Sequence, residues 1–150
     1  MNNKIPPPVY MIAAGLLMYL VARSGFDVAF NMPFARSLSS ACFTTGAAIA
    51  LIAVWQFRRA RTTIDPLNPN AASSLVASGL FQFSRNPMYL GMALILFGVV
   101  IRLGSLSGLA ILAVFIGLIT QFQIKPEERA LESIFGQEFV EYCSRVRRWI

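Results

Sequence analysis

A cation, an amide and a phenol stand together where the sequence SRNPMYLG, residues 84–91, enters a long apolar segment. Pro87 suits the first position of a helix, and Asn86 is a good cap for the amide groups that a helix start leaves unpaired. Tyr89 follows Arg85 by four residues and therefore lies on roughly the same helical face. Because a helix N-terminus with an arginine beside it attracts carboxylates and phosphates, the stretch is a candidate anion-binding site.

Simpler interpretations of the same residues stay open. Ser84 is an alternative helix cap. The side chain of Arg85 can extend to the membrane interface, and Tyr89 can belong to the aromatic belt there. Spacing alone does not separate these structural roles from ligand binding.

A second polar group follows the last apolar segment, in the sequence KPEERALESIFGQEFVEYCSRVRRWI, residues 125–150. Pro126, Glu127 and Glu128 are typical of a first helical turn, where acidic side chains meet the positive end of the helix dipole. The two carboxylates would equally suit a cation or ribose hydroxyls. Because successive helix positions point about 100° apart, we expect only one of them to face a ligand.

Three glycines mark places where the backbone can approach another group closely. Gly79 is interpreted either as a plain turn residue or as a point of contact with a ligand or helix. Gly91 and Gly98, seven residues apart, give their helix a stripe of small residues against which another helix or a ligand can lie.

The composition is that of a membrane protein. The chain has 150 residues, of which 56% are hydrophobic and 13% are charged, whereas soluble domains carry about 25% charged residues. Too few polar side chains remain to cover a surface that faces water. We expect a single all-α domain, residues 1–150, that forms an integral membrane bundle of about four transmembrane helices followed by a cytoplasmic amphipathic helix.

Four apolar segments are candidates for the spans. Leu38–Phe57 and Leu103–Ile124 are free of charge and long enough to cross about 30 Å of hydrocarbon. The helix of the second segment is expected to begin near Leu106, because a turn-like sequence of glycines and serines precedes it. Val9–Ala22 and Met88–Ile101 are shorter and need neighbouring residues to complete a crossing. A secretory signal is the alternative interpretation of Val9–Ala22.

Basic residues predict the orientation. With four spans, both termini and the connector after the second span lie on one side, which holds Lys4, Arg58, Arg59, Arg61, Arg85, Lys125, Arg129, Arg145, Arg147 and Arg148. The other side holds Arg23, Arg36 and Arg102. The positive-inside rule makes the first side cytoplasmic, and we expect a bacterial inner membrane. Because membrane lipid headgroups suit these charges, nucleic acid is not expected as a partner.

Other features of the chain carry less information. The connector Thr62–Ser74 contains two prolines and turn-forming residues, which favour an ordered loop. Cys42 falls in a span and Cys143 in the tail, so no disulfide between them is expected. The chain has no histidine, and no metal site is predicted. Apolar residues at helical spacing in the tail predict a face on the membrane surface or against the bundle: Leu131, Ile134, Phe135 and Phe139.

The two polar groups together resemble a known family. The order LVASGLFQFSRNPMYLG, a helical hairpin and then PEERALESIFGQEFVEYCSRVRRW is similar to the isoprenylcysteine carboxyl methyltransferase and phospholipid methyltransferase superfamily of integral membrane enzymes. The resemblance covers about residues 62–150. It implies an enzyme that transfers a methyl group from S-adenosylmethionine to a lipophilic or small-molecule acceptor, with lipophilic acceptors reaching the site from the bilayer.

The resemblance also implies site residues. The first cofactor-binding block is matched by Gly79, Arg85, Asn86, Pro87, Tyr89 and Gly91. Glu127 and Glu128 match the acidic pair that binds cofactor, and Tyr142 and Arg145 match an element of the tail. Tyr89 and Arg145 are the candidate catalytic residues. The better-known members of the family have histidine at the position of Asn86. Because this chain has no histidine at all, no imidazole can act as a base.

The chemistry of the cofactor suits these side chains. Methyl transfer from a sulfonium chiefly requires that two reactants be positioned. Arg85 suits the carboxylate of S-adenosylmethionine, either glutamate suits its ammonium or ribose, and the ring of Tyr89 or Phe81 suits its sulfonium. A carboxylate or thiolate acceptor needs no base, whereas an amine needs one.

Two other functional classes explain less of the sequence. A small four-helix transporter coupled to protons needs an ionisable group inside its bundle, and no aspartate or glutamate lies within the expected spans. A non-catalytic membrane accessory protein would use the same helices and tail but has no need of the second polar group. The sequence leaves the acceptor open among carboxylates, thiols and amines.

The expected topology can be tested by cysteine labelling in sealed vesicles. Single cysteines at Asn70, in the connector, and at Gln137, in the tail, should react with a membrane-impermeant maleimide from the same, cytoplasmic side. Labelling from opposite sides would show that the span count is wrong.

Overall fold

The computed structural model describes residues 5–25, 27–59 and 74–150, and most of these residues are helical. A 3-10 turn, Gly79–Gln82, precedes the third helix, and a π-helical segment, Thr120–Ile124, lies between the fourth and fifth. The α-helices are α1 Pro7–Arg23, α2 Ala35–Arg59, α3 Pro87–Leu103, α4 Leu106–Ile119, α5 Lys125–Phe135 and α6 Gln137–Arg145. The predicted all-α class is confirmed.

Two helical stretches are long and apolar enough to cross a membrane, namely α2 and the continuous stretch Leu106–Phe135. Helices α1 and α3 are apolar but have 17 residues each, in keeping with the shorter segments predicted there. Helix α4 begins at Leu106, as expected. Lys4, Arg61 and all of the connector Thr62–Ser74 except its last residue lie outside the described residues.

Helices α2 and α3 pack with their backbones in close approach. A Cβ atom on Gly91 would lie 2.5 Å from the carbonyl oxygen of Gly46, and one on Gly46 would lie 2.7 Å from the carbonyl oxygen of Gly91. A Cβ atom on Gly98 would lie 3.2 Å from the Cβ of Cys42. Small residues permit this approach, and the stripe predicted on α3 packs against another helix, which was one of the two predicted alternatives.

The other side of α3 faces the main core. Met18 of α1, Leu96 of α3, and Phe115 and Ile119 of α4 are almost fully buried in one cluster. Helix α3 therefore contacts α2 through its glycines and contacts α1 and α4 through its large side chains. This arrangement fixes where the N-terminal end of α3 lies relative to α5.

The loops at the opposite end of the bundle are joined to each other. Ala29, before α2, and Ser105, before α4, form an antiparallel bridge. Asp27 accepts a hydrogen bond from the backbone N–H of Ser107 at 3.0 Å, in the first turn of α4. The hydroxyl of Ser105 lowers the pKa of Asp27. The α1–α2 loop is thereby fixed to the α3–α4 turn.

Helix α4 continues through the π-helical segment into α5 without a break. Pro126, Glu127 and Glu128 lie in the first turn of α5, as predicted, but this turn is not a free helix end. A proline inside a helix clashes with the carbonyl group four residues earlier, here that of Phe122. The wider π-helical turn lies at this point and keeps the helix continuous. Both glutamates are thus carried beyond the apolar stretch on a rigid element.

The tail forms two helices, and the expectation of a single amphipathic helix is wrong. Gly136 separates α5 from α6 and has a φ of +50°, which glycine adopts without the strain that a Cβ would cause. Leu131 and Phe135 pack against Phe139 in a small cluster apart from the main core, whereas Ile134 is exposed. The turn at Gly136 lets α6 fold back toward the 3-10 turn.

A glycine-to-alanine pair tests the close packing of α2 on α3. Gly91→Ala places a methyl group against backbone and should lower the stability of the detergent-solubilised protein by about 1–3 kcal/mol, seen as a lower thermal midpoint. Gly117→Ala, in α4, is the matched control, because the added Cβ has no atom within 4 Å apart from those of its own stretch of helix. Equal midpoints for the two variants would contradict the proposed packing.

Candidate functional site

Three segments that are distant in sequence meet at one end of the bundle. They are residues 84–91, which we call the start of α3 and which include the residues just before the helix, the first turn of α5, and residues 146–150, which we call the C-terminal strap. Helix α6 ends at Arg145, and Val146 is extended, with φ −121° and ψ 129°. The strap therefore leaves the helix and runs back across the start of α3, where both predicted polar groups lie.

Glu128 joins two arginines in what we call the arginine–glutamate cluster: Arg85, Glu128 and Arg148. Its carboxylate accepts two hydrogen bonds from Arg148, at 3.0 Å from Nε and 2.7 Å from Nη2. Nη1 of Arg85 lies 3.2 Å from Oε1 of the same carboxylate. The hydrogen bonds to Glu128 raise the pKa of Arg148. Because the side chains of Arg85 and Glu128 are only 14% and 16% exposed, water screens their attraction weakly.

Arg85 has a buried donor that the cluster does not use. Its Nε is buried and has no hydrogen-bond partner among the described residues. Its backbone N–H donates to the carbonyl oxygen of Arg147 at 3.0 Å, and its Nη1 also donates to the sulfur of Cys143. A buried donor without a partner costs about 1–3 kcal/mol, so an acceptor brought by a ligand would be stabilising here.

The second carboxylate of the acidic pair takes a different partner. The hydroxyl of Tyr89 donates to Oε1 of Glu127 at 2.5 Å, and the Tyr89 ring is buried. Glu127 and Glu128 therefore point to different partners, in keeping with the 100° separation of successive helix positions. Both predicted groups contribute to one arrangement, with α3 and α5 linked by the Tyr89–Glu127 and Arg85–Glu128 pairs.

Asn86 stands at the cap position of α3, but its side chain does not cap the helix. Its Nδ2 donates to the carbonyl oxygen of Arg148 at 3.0 Å, and Oγ of Ser84 accepts from the backbone N–H of Asn86 at 3.1 Å. The expectation that the Asn86 side chain caps the helix is wrong, because its amide is turned so that Nδ2 binds the strap and Oδ1 accepts no hydrogen bond from the first turn of α3. Pro87 occupies the first helical position, as predicted, and is buried.

Tyr142 connects α6 to the 3-10 turn. Its hydroxyl donates to the carbonyl oxygen of Phe81 at 2.7 Å, and both side chains are buried. Burial raises the pKa of Tyr142, and the charge of Arg85 opposes that rise. Tyr142 therefore remains a neutral donor that holds the tail beside the start of α3.

The two glycines assigned to cofactor binding lie against α2. Gly79 has a φ of +63°, and a Cβ there would overlap the side chain of Gln56. The Oε1 of Gln56 accepts a hydrogen bond from the backbone N–H of Leu80 at 3.2 Å. Gly91 lies at the contact with Gly46 described above. The structure gives both glycines a packing role, and their part in cofactor binding stays a prediction.

Arg145 does not join the cluster. It is exposed at the end of α6, and its Nε donates to the carbonyl oxygen of Glu141, one turn earlier in the same helix. The residue that reaches Glu128 is Arg148, which the sequence analysis did not single out. The only signal for it was the run of arginines near the C-terminus, and choosing among them requires knowing where α6 ends.

The chain is similar to a protein family and to an uncharacterized protein. An uncharacterized protein of Haemophilus influenzae is 48% identical over 64 residues, which are 42% of this chain and the whole of that protein. No solved structure matches the chain. The model of the phospholipid methyltransferase family matches residues 34–138, which include the start of α3 and both glutamates. Since this match covers well over half of the sequence, the chain belongs to the phospholipid methyltransferase family, within the superfamily of membrane methyltransferases that its sequence resembles.

Proposed function

We propose that the protein transfers a methyl group from S-adenosylmethionine to a lipid-type acceptor. Family membership suggests a membrane methyltransferase. The observation that carries the proposal is the buried, unpartnered Nε of Arg85 inside a cluster of two arginines and one glutamate. The acceptor's reacting group is a carboxylate, a thiol or an amine, and we expect the reaction at the cytoplasmic face.

The donor set fits the polar parts of S-adenosylmethionine. Two guanidinium groups share one carboxylate in the cluster, so one positive charge is left to attract an anionic group. The free N–H of Arg85 would hold the carboxylate of the cofactor through a charge-assisted hydrogen bond. Glu127, beside the ring of Tyr89, would hold its ammonium group or face its sulfonium. When bound, the cofactor supplies an electrophilic methyl group.

The residues of the chain act chiefly by positioning. The two pairs between α3 and α5 fix a donor and a carboxylate on two helices, and positioning of reactants contributes strongly to displacement reactions. An amine acceptor must lose a proton, and the chain has no histidine to accept it. Oε2 of Glu127, the oxygen that does not accept the Tyr89 hydrogen bond, is the atom proposed to hold that proton, with Tyr89 keeping the carboxylate in place through Oε1.

The membrane supplies the second substrate in this proposal. Helix α3 enters the apolar bundle directly from the cluster, and large apolar side chains of α4 such as Leu109 and Val114 are exposed on its surface. A lipophilic acceptor dissolved in the bilayer would reach the start of α3 without crossing water.

Labelled cofactor tests the proposed activity. Membranes containing the protein should transfer label from methyl-labelled S-adenosylmethionine into an extractable species, and mass spectrometry of that species identifies the acceptor. The purified protein in nanodiscs should also bind S-adenosylhomocysteine, the demethylated product, in calorimetry. If a demonstrably folded protein does not bind S-adenosylhomocysteine at millimolar concentration, the proposal is wrong.

A matched pair of arginine variants tests the role of Arg85. Arg85→Ala and Arg85→Lys should each weaken S-adenosylhomocysteine binding by about tenfold or more, because lysine keeps the charge but lacks the Nε donor. Arg59→Ala should change affinity by less than about twofold, since Arg59 is exposed and lies over the ring of Trp55. Similar small losses at both positions would mean that Arg85 serves the fold alone.

A further inference from the structure

The C-terminal strap is held at every position from Val146 to Trp149. Val146 is buried beside Phe139 and Tyr142, and the carbonyl oxygen of Arg147 accepts from the backbone of Arg85. The backbone of Arg148 accepts from Asn86 and its side chain binds Glu128. The strap is therefore the element that brings the second cation to the cluster.

Trp149 is the last anchored residue of the strap, and it contacts a different part of the bundle. Its indole packs against the main core shared by α1, α3 and α4. Its Nε1 donates to Oγ1 of Thr120 at 3.3 Å, and Thr120 begins the π-helical segment. The hydroxyl of Thr120 donates in turn to the carbonyl oxygen of Ile116 at 2.7 Å, so its lone pair is oriented by the helix.

The anchor at Trp149 is important because Arg148 stays beside Glu128 only if its backbone is held in place. Its side chain is 36% exposed, and partly exposed ion pairs contribute little when both side chains are free to move. Trp149 on one side and the Asn86 bond on the other fix the backbone on which Arg148 stands. Thr120 lies eight residues before Glu128 on the same continuous helix, so a single rigid element carries both the anchor for Trp149 and the partner of Arg148.

We propose that Trp149 is a positioning residue that, through Thr120, holds Arg148 on Glu128 and so completes the arginine–glutamate cluster. The inference rests on the proposed function for its effect on cofactor affinity, but the link from Trp149 to the Arg148–Glu128 pair can be measured in the ligand-free protein. The methyltransferase family match ends at residue 138, before the strap, and does not include this residue.

The ligand-free experiment uses thermal midpoints in nanodiscs. Arg148→Gln should lower the midpoint by about 2–4 °C in the wild-type background, where the pair is formed. In a Trp149→Ala background the same substitution should cost less than about half as much, because Arg148 no longer stands at Glu128. An undiminished effect of Arg148→Gln in the Trp149→Ala background overturns the inference, since a purely structural tryptophan would leave the pair intact.

The ligand-binding experiment isolates the indole hydrogen bond. Trp149→Phe and Thr120→Val should each weaken S-adenosylhomocysteine binding by about threefold to tenfold, and the double variant should be no worse than the worse single one. Thr120→Ser keeps the acceptor and should restore affinity, and Trp55→Phe, on the exposed face of α2, should leave it unchanged. Unaltered affinity in both single variants overturns the inference.

Failure of the proposed function gives a different result. If the wild-type protein does not bind S-adenosylhomocysteine but Arg148→Gln loses its effect in the Trp149→Ala background, then the proposed cofactor is wrong and the positioning role of Trp149 stands. The two experiments therefore separate the failure of one inference from the failure of the other.

Discussion

The ion pairs of the Glu128 carboxylate are the interactions on which the polar end of the bundle depends. The carboxylate is shared by Arg85, at the start of α3, and Arg148, in the C-terminal strap, and it stands on α5. Removing a partner from a largely buried ion pair costs about 3–5 kcal/mol, because the remaining charge is left uncompensated. Without Glu128 two guanidinium groups would face each other, and the strap would be held at the start of α3 only by backbone hydrogen bonds, the Asn86 side chain and the contacts of Val146 and Trp149.

The packing of the other helices places the start of α3, the first turn of α5 and the strap next to one another. Helix α3 is placed by the contact of Gly91 with Gly46, and a larger residue at either position would displace the start of the helix that carries Arg85. Helix α5 is placed by its continuity with α4 through the π-helical segment. In hydrocarbon, helices associate through close packing rather than through burial of apolar surface from water, so the small residues of α2 and α3 decide the geometry of the polar end.

Much of the fold could be predicted because each apolar run ends at a charge. Arg23, Arg59 and Arg102 stand at or next to the ends of α1, α2 and α3, and the predicted bounds of those helices are correct to within a few residues. That the two polar groups lie close together was also predictable. Two helices, α3 and α4, separate them in the sequence, and two crossings return the chain to the same end of the bundle. Residue types and spacing were sufficient for both inferences.

The path of the chain after α6 could not be predicted. Arg145, Arg147 and Arg148 are chemically alike, and the one that reaches Glu128 is selected by the extended conformation of Val146 and its burial beside Tyr142. The use of the Asn86 side chain to bind the strap has the same origin, because its acceptor lies 62 residues away. Such long-range partners leave no trace in local spacing, which is why the helix cap was expected and the strap was not.

The charges at this end of the bundle favour a zwitterion over a simple anion. The free donor of Arg85 attracts a carboxylate or a phosphate, but Glu128 is within 3.2 Å of the same guanidinium, and Glu127 follows it in the sequence. A lone anion would gain one hydrogen bond from the cluster, whose two arginines already neutralise Glu128, but it would meet the repulsion of Glu127, whose partner is the neutral hydroxyl of Tyr89. A ligand that places an ammonium or sulfonium near Glu127 while its carboxylate meets Arg85 replaces that repulsion with attraction. The amino-acid part of S-adenosylmethionine has this charge pattern, whereas inorganic phosphate or a fatty acid does not, and the proposed choice of cofactor follows from this difference.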